Sequence, residues 1–430
     1  MRVAIIGAGI AGVTTAYELA ADGHEVHVFE RGGSVAAEGS FANTGHAAPG
    51  EVALSPHPSA MKLSGALGAR LRWSLRTRRA GKASPLAERS KALLDLALFS
   101  QERQQTLTRQ LGLDYEHTQG HLTLLRSAAD LAALQPRLDL LQQLGVSHQV
   151  LNPAQCLRAE PGLSAETKLH AGVLLSQSEV GNCRQFALLL RQEAQRLGAR
   201  FHFHTSARQI EPGDRPRLLH LPTPTEARSA LPRDAAETQM PAYDGQEPPP
   251  DRYSAIVVCA AAESASLLQP LGLKLPLASV QGWSITAPLR QLEAFPDLGP
   301  RAALVDAHHQ VAISRIGQRV RVAGGAVMGS SAGRDDGHPR AVELLHKVLN
   351  DWFPGATQAQ GIQRWRGTRA LLPDGLPLLG ATTQTGIWLN SAHGSHGWAL
   401  ACGAARALAD QLLGHQPSVR IEALSPARMR

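Results

Sequence analysis

Cysteine is scarce in this 430-residue chain. Cys156, Cys183, Cys259 and Cys402 form no CxxC pair, which argues against a zinc knuckle or a disulfide framework and fits buried free thiols in a reducing, cytoplasmic setting. Aromatic residues make up only 4% of the chain, and no nucleic-acid-binding motif accompanies them, so no nucleic-acid partner is expected. No segment approaches the roughly 20 consecutive apolar residues of a membrane span. The apolar run ahead of Gly7 is about five residues, short of the ~7–15 that a secretory signal needs. Charged residues are also limited, at 18% against 43% hydrophobic, which is the balance of a folded chain rather than a disordered one. The length suits two domains with a large core. A net charge of +7, carried mostly by arginine, is modest for this length and points only weakly to anionic partners.

What is present begins at the N-terminus. RVAII (2–6) reads as a buried strand, Gly7-Ala8-Gly9-Ile10-Ala11-Gly12 follows, and VTTAYELAADG reads as a helix stopped by Gly23. A second strand, EVHVFE, ends on Glu30. This strand–GxGxxG–helix–strand–acid unit is the dinucleotide-binding fingerprint. Gly7 makes the tight turn, Gly9 admits a pyrophosphate to the backbone, and Gly12 lets helix and strand pack closely. The helix N-terminus offers free N–H groups to phosphate. Glu30 can accept from a ribose 2′-hydroxyl and repels a 2′-phosphate, which disfavours NADP. FAD and NAD both satisfy this unit. The following run of small residues, SFANTGHAAPGE (40–51), suits a loop beside a large flat ring and carries no second nucleotide fingerprint.

Further along, GARLRWSLRTRRAGK (68–82) interleaves basic residues with Leu71, Trp73 and Leu75. Such a segment suits either an anionic membrane surface with an interfacial Trp73, or an ordinary solvated helix. Residues 86–110 and 127–144 read as helices, and YEHTQGHLTLLR (115–126) as a strand pair around Gly120. In ARFHFHTSARQIE (199–211), His202 and His204 alternate with Phe201 and Phe203, which predicts a strand with an exposed polar face rather than a metal site. Residues 212–252 lack periodicity and read as a long flexible excursion. SVQGWSITAP (279–288) and HQVAISRIGQRVRVAGGA (309–326) read as alternating strands, the second a hairpin turning near Gly317. SAHGSHGWALACG (391–403) holds an HxxH pair, His393 and His396, but nothing nearby completes a metal site, so no metal is expected. Its glycines instead open a buried helix whose N-terminus can face a ligand.

Taken together, MRVAIIGAGIAGVTTAYELAADGHEV, SFANTGHAAPG, QGHLTLLR, GWSIT, VAISRIGQRVRVAGG, RGTRALLPDGLPLLG and IWLNSAHGSHGWALACG resemble the FAD-dependent D-amino acid dehydrogenases of the glycine oxidase, sarcosine oxidase and D-amino acid oxidase superfamily. The resemblance implies an α/β plus α+β fold. In it a Rossmann-type FAD-binding domain (1–85, 150–277 and 360–430) is interleaved with a substrate domain (86–149 and 278–359) on a mixed or antiparallel sheet. It also implies oxidative deamination of a D-amino acid to a 2-oxo acid and ammonia by hydride transfer from Cα to flavin N5. A quinone-type acceptor in the respiratory chain would then take the electrons, at the cytoplasmic face of the inner membrane. Two alternatives stay open: an oxygen-using oxidase of glycine, sarcosine or a cyclic imino acid, and a flavin-binding protein without turnover.

On the same resemblance, Gly7, Gly9, Ile10, Ala11, Gly12, Glu30 and Arg31 serve the ADP half of FAD. Ser40, Ala42, Asn43, Thr44 and Gly45 pass the isoalloxazine, and Gly394, Ser395, His396, Gly397 and Trp398 form the turn at its pyrimidine edge. Backbone N–H groups in that turn would stabilise negative charge on the reduced ring. Arg369 takes the position that clamps the substrate carboxylate, for which a planar guanidinium fork is apt. His396 is the second candidate catalytic residue, and His393 is expected to be structural. Gly367 stands where some sarcosine oxidases attach flavin through cysteine, which implies noncovalent FAD. Ala261, Gln281, Trp283 and Ala370 depart from the family pattern.

Overall fold

The computed structural model describes residues 1–54, 67–83, 86–223, 250–293, 298–328 and 339–429. Most of the 212–252 stretch lies outside them. Strand β1 (Arg2–Ile6), helix α1 (Ile10–Ala21) and strand β2 (Glu25–Phe29) form the expected N-terminal unit. Val3, Ala4, Ile5, Val26 and Val28 are fully buried, as a central parallel sheet covered on both faces requires. Helix α1 ends where Gly23 adopts φ +80° and its N–H bonds the Ala20 carbonyl.

Around this unit lies a six-stranded sheet in the order 378–381, 387–391, 255–258, β1, β2, 200–202. Its strands run parallel except Leu378–Ala381, which pairs antiparallel with Ile387–Ser391. On one face pack α1 and the helices Leu86–Leu111, Cys183–Arg196 and Gly397–Leu412. On the other lies a three-stranded sheet of 205–211, 217–222 and 251–252, whose Ile210 and Leu218, with Tyr253 next along the chain, meet Ile6, Phe29 and Ile256. Within the described part of the expected excursion, Arg217–Pro222 and Asp251–Arg252 are paired strands of this sheet.

The second sheet has eight strands in the order 363–371, 278–288, 319–328, 311–316, 303–306, 121–125, 171–174, 149–151. It is antiparallel except for the parallel pair 303–306 and 121–125. The helix Pro339–Trp352 buries Leu345, Val348, Leu349 and Trp352 against it. The hairpin 311–328 turns at Gly317, φ +57°, as its sequence indicates.

Several local expectations change. Strands 149–151, 171–174 and 363–371 pair into the eight-stranded sheet rather than joining the nucleotide side. Gln363–Leu371 does so because it bonds Ala278–Pro288 over nine paired positions. The helix Leu86–Leu111, expected on the substrate side, lies on the nucleotide side. A Cβ on Gly403 would stand 2.7 Å from the Ser100 backbone N, so glycine permits that close helix crossing. Thr118–Gln119 and His121–Leu125 flank Gly120 but pair with different sheets. The segment 199–211 is two strands broken at Phe203–His204, with His204 at φ +51°. His202 is not on an open polar face: its ring stacks on Phe29 at 4.8 Å and on His27 at 5.3 Å. Trp73 is not interfacial either. It is buried against Val280 and Leu371, on the inward face of the helix Leu67–Ala83. All four cysteines are free and buried.

Candidate active site

A cavity of about 600 Å³ runs from the C-terminal ends of β1 and β2 to the strand carrying Arg369. The first glycine turn builds one end. Gly7 sits at φ +101°, where an added Cβ would stand 2.8 Å from the Cys259 carbonyl oxygen. On Gly12 a Cβ would stand 1.9 Å from the Gly7 carbonyl oxygen, so no side chain fits there. Gly9 keeps the wall flat, with Ser40 Oγ the nearest atom to its missing Cβ at 3.6 Å. Ser40 Oγ also accepts from the Ile10 N–H at 3.2 Å.

Glu30 closes this end. Its two carboxylate oxygens accept from Ala8 N at 2.8 Å and Gly32 N at 2.7 Å. Burial pushes its carboxyl above the usual range, while those two N–H donors pull the other way. Arg31 lines the same end, but its guanidinium is held by Glu38 and Glu263 and serves as a latch. The cradle fits the ADP part of FAD in shape and donor chemistry: a glycine turn at a helix N-terminus with a carboxylate set for a hydroxyl.

At the far end, Arg369 lies opposite Val280 in the eight-stranded sheet. Its Nη1 donates to Ser395 Oγ at 2.9 Å and its Nη2 reaches the Gly325 carbonyl at 3.5 Å. Among the described residues no carboxylate pairs with it, and burial alone lowers its pKa. Gly282 makes its room, because a Cβ there would stand 2.3 Å from Arg369 Nη2. A guanidinium beside a cavity with no internal counter-ion is a ready receptor for an anionic group.

The terminal turn joins the two ends. Gly394–His396 forms a 3₁₀ turn that runs into the helix Gly397–Leu412. Gly394 sits at φ +59°, a region that favours glycine, and a Cβ there would press on Leu371 Cδ1 at 2.9 Å. Trp398 Nε1 donates to the Gly45 carbonyl at 3.1 Å and so ties this turn to the 40–45 loop.

Of the residues singled out from sequence, Gly7, Gly9, Ile10, Ala11, Glu30, Arg31, Ser40, Asn43, Arg369, Gly394, Ser395, Gly397 and Trp398 meet around this one cavity. Gly12, Ala42, Thr44 and Gly45 do not line it. His396 does not line the cavity either, although it lies close enough to Glu51 and Arg369 for both charges to act on it. His393 does line the cavity, and burial lowers its pKa to about 4, which keeps it neutral. Sequence reasoning missed the wall contributed by Thr205–Arg208, Ala260–Glu263, Ser279, Arg366 and Thr368. The only sequence hint among these was Ala261, one of the departures from the family pattern. It sits at φ +44°, a backbone region that suits glycine.

A dinucleotide cradle joined to an anion receptor on an antiparallel sheet defines a flavin-dependent oxidoreductase. Residues 2–411 match the DAO family of FAD dependent oxidoreductases, and the chain belongs to that family. Among its relatives is the D-amino acid dehydrogenase of Rhodopseudomonas palustris (strain HaA2), 34% identical, with 100% of this chain and 98% of the relative aligned. The D-amino acid dehydrogenase of Bradyrhizobium diazoefficiens is 33% identical over 100% of this chain and 99% of its own. Glycine oxidase from Geobacillus kaustophilus superposes with a TM-score of 0.71 at 19% identity, covering 99% of this chain and 98% of its own, and so shares the fold.

Proposed function

We propose that this FAD-dependent oxidoreductase deaminates D-amino acids, with Arg369 binding the substrate carboxylate. The observation that carries this reading is the Arg369 guanidinium, which borders the cavity and has no carboxylate partner among the described residues. Its planar fork can hold both carboxylate oxygens. Ser395 and Gly325 hold that fork in place, so the bound substrate is presented in one orientation. Bound noncovalently, FAD supplies the hydride acceptor for the substrate Cα–H, and the resulting imino acid hydrolyses in water to a 2-oxo acid and ammonia. The neutral His393 adds no positive charge to compete for the carboxylate. N–H groups at the start of the helix Gly397–Leu412 offer positive potential to a reduced, anionic cofactor. The D preference is supported by the full-length relatives named above.

The acceptor we propose is a quinone at an anionic membrane surface. The helix Leu67–Ala83 exposes Leu67, Leu71 and Leu75, one per turn, among Arg70, Arg72, Arg76, Arg78, Arg79 and Lys82. That pattern supports surface attachment. No described helix is long and apolar enough to cross a membrane.

Anaerobic mixing with a panel of amino acids tests the reading. Rapid bleaching of the flavin by D-amino acids is expected, with a quinone analogue restoring the oxidised spectrum. No bleaching by D-, L-, N-methyl or cyclic amino acids would refute amine oxidation. Near-stoichiometric hydrogen peroxide in air would move the assignment to an oxidase.

A further inference from the structure

Three side chains meet behind the cofactor loop, and none lines the cavity. His46 directly follows Gly45, Glu51 belongs to the short helix Pro49–Leu54, and His121 opens a strand of the eight-stranded sheet. His46 Nδ1 is 2.8 Å from Glu51 Oε2, and His121 Nε2 is 3.4 Å from the same oxygen. All three atoms fall within 4.8 Å of one another, the only such group of His, Cys, Asp or Glu among the described residues.

Counting hydrogens at this cluster exposes two anomalies. The Ser314 hydroxyl donates its single proton to the Thr44 carbonyl, 2.6 Å away. Toward His46 Nε2, 2.9 Å from it, the same oxygen can only accept. Nε2 therefore carries hydrogen, and a neutral His46 turns the lone pair of Nδ1 toward a carboxylate oxygen. The second anomaly is His121, whose side chain is 0% exposed: its Nδ1 has no hydrogen-bond partner, and its Nε2 has only the 3.4 Å approach to Glu51. Leaving one such group unpaired costs about 1–3 kcal/mol.

We propose that His46, Glu51 and His121 bind a divalent transition-metal ion of the zinc class. A cation between the three atoms takes the Nδ1 lone pair, the carboxylate charge and His121 Nε2 together. Two imidazoles and one carboxylate make a recognised zinc donor set that leaves a fourth position for water. Ser314 holds the far N–H of His46, the arrangement that orients a ligating histidine. Bonds of about 2.1 Å at tetrahedral angles place ligand atoms about 3.4 Å apart. The His121–Glu51 separation already has that value, and the His46–Glu51 contact must open by about half an ångström. The Glu51 side chain is 24% exposed, which gives an ion a route in. The ion would staple the cofactor loop to the eight-stranded sheet. It does not depend on the substrate proposed above.

The test is metal and flavin content of the flavin-loaded protein after dialysis against zinc and removal of the excess, read by mass spectrometry and absorbance. The expected result is about one zinc per chain, lost in Glu51→Gln and in His121→Phe while flavin is retained. His121→Phe fills the ring volume without needing a partner. Should either variant fail to fold, Ser314→Ala keeps all three ligands and should weaken zinc binding ~10–100-fold. Cobalt in place of zinc should add ligand-field absorption beyond the flavin bands. Wild-type protein that takes up no zinc overturns the proposal and leaves a proton as the bridge between His46 and Glu51. Zinc binding unchanged in the three variants overturns it too. Neither readout requires turnover, so loss of amino acid oxidation leaves this test intact.

Discussion

Replacing Gly282 with alanine tests the carboxylate clamp without touching Arg369. The added Cβ would stand 2.3 Å from Arg369 Nη2 and 3.3 Å from its Cζ. Ordinary carbon–nitrogen contacts need about 3.5 Å, so the guanidinium must retreat by about 1 Å. A displacement of that size in a substrate-positioning group costs roughly 10²-fold in rate, or about 2.7 kcal/mol of barrier. The clash is with the far end of a flexible side chain, so the fold should survive. Anaerobic stopped-flow should show the flavin-reduction rate at low D-amino acid concentration falling about 100-fold, with flavin content and thermal midpoint close to wild type. Reduction within about threefold of wild type would refute the placement of Arg369 as the clamp. So would an equal loss in reduction by dithionite, which needs no clamp.

Gly12→Ala drives a Cβ into the Gly7 carbonyl and should yield protein without flavin, read from the ratio of visible to ultraviolet absorbance. Ala261→Gly relieves a left-handed residue at φ +44° and should stabilise the protein by roughly 0.5–1 kcal/mol in denaturant titration, offset in part by added unfolded-state entropy. Glu18, almost fully buried, pairs with both Arg103 and Arg406. Glu18→Ala strands the Arg103 guanidinium, while Arg406 keeps Asp22 and Asp410, and should cost about 3 kcal/mol. Acid sensitivity follows from His202 and His393, each lowered to about 4, chiefly by burial and for His202 also by its basic neighbours. Unfolding lets both titrate near 6.5, so the unfolded state binds more protons between those values. Stability should be full above about pH 6.5 and fall toward pH 4. His393→Asn should flatten that slope, and an unchanged slope would show that His393 is not buried neutral.

The nucleotide unit was legible in the sequence because its determinants are local. A short apolar run, three glycines and a terminal acid within thirty positions can be read without knowing what packs on them, and Gly7, Gly9 and Glu30 line one cavity. Arg369 was legible only through resemblance, since one arginine in a strand carries no period of its own. Tertiary structure alone decided the rest. That Gly282 is empty space for Arg369 depends on pairing between strands some ninety residues apart in sequence, which no window along the chain can see. Which sheet took 149–151, 171–174 and 363–371 was likewise a matter of backbone partners. HxxH at 393–396 lies at a turn, and only folding puts His393 on the cavity wall and keeps His396 off it. His46, Glu51 and His121 share no spacing a motif would register, yet folding brings their ring nitrogens and carboxylate together. Local sequence sets which backbone shapes are cheap. Which side chains become neighbours is set by how the two sheets close on each other.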